Sequence, residues 1–176
     1  MGWTYKLHGG AATALGASLL LLTGLTWLPG TLPLTWAARW PMIVIAALLF
    51  PIFTAAVARV MLTGADRRTM WVAFRCLPRR AQLGLAALAL SGVVMQLPGE
   101  GEGNLQSAEA KNARYYAFDT TPHKRGTVEI TQSQYQAVLE ADQRMMFGIP
   151  GTLFIGAAYL ALGAGELRRA DRGARP

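Results

Sequence analysis

Four long hydrophobic blocks constrain this chain more than any other feature. The hydrocarbon core of a bilayer is about 30 Å thick, so a spanning helix needs about 20 mostly apolar residues, with roughly 17 tolerated. Block one covers 11–28 without a charge and stops at Pro29-Gly30. Block two covers 41–62, where Pro41 suits a first helical turn and Arg59 lies near enough to the end to snorkel. Block three, 81–97, is the shortest, with the amides of Gln82 and Gln96 at its ends, within reach of the interface. Block four covers 145–165. Charged residues make up only 15% of the 176, against roughly 25% in soluble chains, and they are squeezed between the blocks. Such clustering excludes disorder, a disulfide scaffold and an ordinary soluble enzyme. Cys76, the single cysteine, cannot form an intramolecular bridge.

Block one is read as a retained helix. Lys6 before it and Thr35-Trp36-Ala37 after it would suit a cleaved signal peptide, but the apolar run is long and the motif lies late. Block three is read as a crossing and not a re-entrant segment, because the charge pattern needs a crossing there. Orientation follows from Lys and Arg placement. Arg67, Arg68, Arg75, Arg79 and Arg80 lie between blocks two and three, and Arg168, Arg169, Arg172 and Arg175 follow block four. With Lys6 and Arg59 the inner side holds eleven Lys and Arg residues against six outside. Both termini are therefore expected in the cytoplasm, in a multi-pass protein of the plasma membrane, and residues 98–144 outside it. The net charge of +7 already has a topological role, so nucleic acid is not expected as a partner.

Between blocks two and three, helical phase puts Met70, Ala73, Phe74 and Leu77 on one face and Arg68, Arg75 and Arg79 on another. Asp66 is an acceptable N-cap and Pro78 ends the helix early. One expectation is an interfacial helix in the basic loop 63–80, its apolar face sunk into the inner leaflet. Its arginines, Arg67, Arg68, Arg75, Arg79 and Arg80, would then lie on anionic headgroups. The other is a plain basic loop that only fixes topology.

Residues 98–144 change character. Pro98 to Gly103 reads as a flexible acidic exit, and Asn104 to Arg114 as a short, weak helix. Tyr115 to Asp119 and Thr127 to Thr131 read as a β-hairpin across a turn-rich loop, the second strand strictly alternating. Thr131-x-x-Gln134 and Ser133-x-x-Gln136 offer two registers of a capping box, so a helix begins near Ser133. Its apolar positions, Tyr135, Val138, Leu139 and Met146, run towards block four, where Gly148-Ile149-Pro150-Gly151 predicts a kink or a fresh start. The result is a small ββα module. Tyr115, Tyr116, Lys124 and Arg125 are its candidate partner-binding residues, while Phe118 is read as filling the mini-core or docking the module on the membrane.

The only histidines, His8 and His123, fall on opposite sides of the membrane, and no HExxH, CxxC, GxSxG, Walker A or GxGxxG pattern occurs. No enzyme, cofactor or metal site is expected, Glu100-Gly101-Glu102 and Asp119 near His123 reading as solvated loop acids. Small residues recur at helix-packing spacing in Gly148-Thr152-Gly156, Ala157-Ala161-Gly165 and Ala87-Ser91. Packing within the bundle is the expected use of these faces, and a homo-oligomer the alternative.

The Ala/Arg/Gly-heavy composition, and the Tyr115–Ile130 hairpin feeding a capped helix into a final span, resemble small uncharacterised multi-spanning membrane proteins of high-GC actinobacteria. The resemblance covers the last third of the chain, rests on no defined motif and transfers no functional residue. The expected fold is all-α and membrane-embedded, with four transmembrane helices and an extracytoplasmic ββα module between the third and fourth. Residues 1–97 form the three-helix part, 98–144 the module, 145–165 the fourth span and 166–176 the basic tail. The expected function is a non-enzymatic interaction or accessory role in the cell envelope, through a protein partner outside and anionic headgroups inside. The alternative is a small transporter or channel component acting as an oligomer, with Pro51 marking a gap in block two.

Overall fold

The computed structural model describes residues 2–28, 30–31, 40–97 and 103–173. Pro29, the Thr35-Trp36-Ala37 motif, Arg39, the acidic exit at 98–102 and Arg175 lie outside the described residues. Among the described residues five helices and three strands follow one another as α1 (Trp3–Leu25), α2 (Trp40–Met61), α3 (Arg67–Arg75), α4 (Arg79–Val94), β1 (Leu105–Lys111), β2 (Arg114–Asp119), β3 (Gly126–Ile130) and α5 (Gln132–Gly173). Three of them, α1, α2 and α5, are long and apolar enough to cross a membrane. Block three falls short of that. Helix α4 has 16 residues, about 24 Å at 1.5 Å per residue. The chain is mostly helical with one small antiparallel sheet.

Helix α5 is the hub, and every other helix packs on it. Small residues make the approach close. A Cβ added at Gly16 of α1 would lie 3.0 Å from the Gly151 carbonyl oxygen and 2.6 Å from Ile155 Cδ1. One added at Gly92 of α4 would lie 2.5 Å from Thr152 Oγ1. Ala157, Ala158 and Ala161 are wholly buried in the same seam, with Ala12 of α1 and Ala56 of α2. Block four's small residues thus serve the bundle, except Gly156, which faces open space. Threonines in the seam bond to their own helix, Thr23 Oγ1 donating to Leu19 O at 2.9 Å, so their hydroxyls cost little where they are buried.

Neither proline breaks its helix. Helix α2 runs through Pro51 and α5 through Pro150 for 42 residues, so the gap proposed in block two and the fresh start proposed near Gly148 are absent. Across from Pro150, Gln96 Nε2 reaches Thr152 Oγ1 at 2.9 Å and the Gly148 carbonyl at 3.4 Å. Packing from α1 and α4 holds the segment that proline would otherwise loosen.

The weak helix expected over 104–114 is absent, and most of that segment forms strand β1. Helix propensity there is slight, whereas the edge of β2 presents a row of backbone groups that a third strand can satisfy. A register shift between Gln106 and Glu109, with Ser107 at φ 52°, hides the strand's alternation. Asn112 and Ala113, both at positive φ, close the β1–β2 hairpin in the two-residue turn that left-handed residues favour. The module is therefore βββα in the order β1-β2-β3, not ββα. Ala108 and Ala117, exposed by 0% and 1%, sit under Val138 and Leu139 of α5, where larger side chains would hold the helix off the sheet. Thr131 and Gln134 cap α5 reciprocally, the Thr131 N–H donating to Gln134 Oε1 at 2.9 Å and the Gln134 N–H to Thr131 Oγ1 at 3.3 Å.

The amphipathic α3 is where it was expected, with Asp66 accepting from the Thr69 N–H at 2.8 Å. Its apolar face points elsewhere. Met70, Ala73, Phe74 and Leu77 are buried in the bundle, the Phe74 ring lying tilted against that of Tyr159 of α5 at 5.4 Å. Those side chains are spent on protein contacts and are not left for the bilayer.

Candidate functional site

The sheet has two unlike faces. Tyr115, Ala117, Val128 and Ile130 lie towards α5, with the Tyr115 ring 4.7 Å from that of Tyr135. Alternation along β2 sends Arg114, Tyr116 and Phe118 to the opposite face, where Glu109, Glu129 and Thr127 pair beside them. Phe118 is 43% exposed, so the reading that put it in the mini-core is corrected: Ala117, not Phe118, fills the space beneath the helix. Of the four candidate partner residues, Tyr116 shares the open face with Phe118, and Tyr115 is turned inward. Lys124 and Arg125 are exposed in the β2–β3 connection.

That connection is held by Asp119. Its carboxylate accepts from the Thr121 N–H at 2.8 Å and from the Thr121 hydroxyl. These two bonds, with the nearby Lys124 charge, hold the Asp119 carboxyl below the usual carboxylate range. Thr120 donates to the Asn104 carbonyl from its N–H and its hydroxyl, both at 2.8 Å, tying the loop to the start of β1. The β2–β3 connection is thus tied to the sheet at its first residues.

Where the sheet meets the helix bundle, Arg144 is 8% exposed and lies over the Trp27 ring at 4.1 Å. One guanidinium nitrogen is 3.5 Å from the Thr26 carbonyl, and Glu140 accepts from the Gly30 N–H at 3.2 Å. A cation at the carbonyl end of α1 complements its dipole, and stacking on Trp adds to it. In sequence Arg144 was only the residue before block four, and nothing pointed to its burial.

The opposite end of the bundle gathers Arg59, Arg67, Arg68, Arg75, Arg79, Arg80, Arg168, Arg169 and Arg172. Arg59 and Arg168 lie over the Tyr5 ring at 4.7 and 5.6 Å, and Arg59 donates to the Thr4 carbonyl at 3.1 Å. Arg67, Arg68, Arg75, Arg79 and Arg80 are exposed there, with Gln82 closing the end of α3 by donating to the Leu77 carbonyl at 2.6 Å. Among the described residues no group of three or more His, Cys, Asp or Glu could hold a metal ion. No protein family, curated protein or solved structure matches the chain.

Proposed function

We propose that this chain is a four-span membrane protein of the cell envelope, both termini cytoplasmic. It acts without catalysis, presenting the open face of its extracytoplasmic sheet to a protein partner. The observation that carries the membrane reading is the placement of tryptophans. Trp3 and Trp71 are exposed at the arginine end, Trp27 and Trp40 at the sheet end. From Trp3 to Leu25, two residues short of Trp27, α1 rises about 33 Å at 1.5 Å per residue, between the 30 Å core and the 40–45 Å full thickness of a bilayer. Amphipathic rings favour both interfaces. Between these belts Leu21, Ile43, Phe50, Leu83 and Leu90 are each at least 65% exposed, a surface that lipid would cover.

A fourth crossing by α4 is supported by where it ends. It starts at Arg79 among the basic residues, and its C-cap Met95 lies beside Gly24, near the sheet end of α1. Local thinning of the bilayer accommodates so short a span. A sheet at the outer end of a continuous α5 would be held at fixed height, with Tyr116, Phe118, Lys124 and Arg125 available to a partner. A photo-crosslinking side chain at Thr127, on that face, should give one discrete adduct in living cells, abolished by Phe118→Arg. A crosslinker at Ser133, in the first turn of α5, should give none. Identical products from both positions would refute the proposed surface.

A further inference from the structure

We propose that the arginine end contains a discrete site for one anionic phospholipid of the inner leaflet, built by the last turns of α5 and distinct from the exposed arginines of α3. This rests on the reading of the chain as membrane-spanning. Arg168, Arg169 and Arg172 line a cavity of about 100 Å³ together with Gly2 and Tyr5. On a helical wheel these three arginines fall within about 100° of one another. Arg168 is steadied over Tyr5, whose other cationic neighbour is Arg59. Among the described residues no carboxylate lines this cavity. The first turn of α1 opens onto it with no acidic residue and no side chain capping Gly2, so the positive end of that helix dipole adds to the field.

A lipid, rather than a free anion, is favoured by what adjoins it. Arg169 also lines a second, larger cavity of about 400 Å³ between α3 and α5. Its α3 wall is Thr69, Val72, Ala73 and Cys76, a stripe at i, i+3, i+4 and i+7, and its α5 wall includes Leu167 and Ala170. Glu166 pairs with Arg169 at 3.6 Å on this side and leaves Arg168 and Arg172 unneutralised. An anionic headgroup over the arginine cavity and the start of an acyl chain along the apolar slot would occupy both with one molecule. Each basic residue near a membrane surface adds to anionic-lipid binding, and Arg168 and Arg172 facing one phosphate group, with Arg169 beside them, would add specificity.

The test is native mass spectrometry of the detergent-solubilised full chain with phosphatidylglycerol or phosphatidylcholine of identical acyl chains. One phosphatidylglycerol should be retained over phosphatidylcholine by about tenfold or more. The double variant Arg168→Gln/Arg172→Gln should erase that preference, while Arg79→Gln/Arg80→Gln, which removes the same charge nearby, should keep it. Ala170→Trp, which fills the slot, should weaken retention with all arginines present. Equal loss in both double variants would mean diffuse attraction and overturn the site. Displacement of the lipid by an equal concentration of glycerol 3-phosphate would assign the cavity to a soluble anion and would overturn the lipid site as well. Alkaline extraction of cell membranes separately scores the spanning reading: release of the chain refutes that reading, whereas retention without lipid preference refutes only the site.

Discussion

Helix α5 is packed twice along its length, by different means. At its sheet end, alanines and branched aliphatics of β1, β2 and β3 close over Val138 and Leu139. Further on, glycines of α1 and α4 let backbones and side chains come nearly into contact around Gly151 and Thr152. In water, burial of apolar area drives the first contact. With the bundle in lipid, as proposed, no such drive exists between helices, and shape fit and polar bridges such as Gln96 to Thr152 would hold the second. The two regions should therefore fail in different ways: the module through polarity, the bundle through volume.

The largest effect is expected from Ala117→Asp. It places an unpaired carboxylate at a position 1% exposed and should cost about 4 kcal/mol, more than a three-stranded sheet on one helix can spare. Limited proteolysis of the full chain in membranes should then cut within 104–130 while the helices remain inserted. The matching insult to the bundle is Gly16→Val. It adds no polarity, but forces α1 from α5 and should cost about 3 kcal/mol, read as a lower unfolding temperature in detergent with the module still protease-resistant. If Gly16→Val opened the module as readily as Ala117→Asp does, the two regions would be one cooperative unit and the contrast would fail.

Arg144 sits where the regions join. Arg144→Ala removes its stack on Trp27 and its contact with the end of α1, at an expected cost of about 2 kcal/mol shared by both. Hydrogen exchange should rise in the last turn of α1 and around 140–144 together. A smaller effect is expected on the open sheet face. Glu129→Lys breaks the exposed 3.4 Å pair with Arg114 and should change stability by less than about 1 kcal/mol. Acid provides the mildest test. The folded pKa of Asp119 lies below its ordinary 3.8, so its contribution to loop order is complete above that value and is lost as pH falls through the lowered one. Exchange at Thr121 should therefore accelerate only in that acidic window, and Asp119→Asn should remove the dependence.

How much of this was legible in the sequence follows from the same contrast. Hydrophobic length located the blocks, and strict alternation in Thr127–Ile130 found β3, because both signals are local. The capping box chose its first register, Thr131 with Gln134. Strand β1 was hidden because the bulge at Ser107 breaks the period that reveals strands, and because pairing with β2 decides its state. Phe118 was ambiguous because three aromatics and one alanine compete on β2, and only the distance to α5 shows that the alanine fits beneath it. The apolar stripe of α3 was found correctly, but a hydrophobic face does not say whether lipid or protein will cover it. The glycines of α1, Gly9 and Gly16, were seven residues apart in plain view. They gained meaning only once α5 lay across them.

All of these readings depend on α5 carrying the sheet to one side of a membrane and the arginines to the other. Thiol labelling in intact cells tests this directly, because native Cys76 is exposed at the arginine end and Thr127→Cys would be exposed on the open sheet face. A membrane-impermeant maleimide should modify Thr127→Cys in intact cells, and Cys76 only after permeabilisation. Labelling of Cys76 in intact cells, or of both positions equally before permeabilisation, would contradict the account.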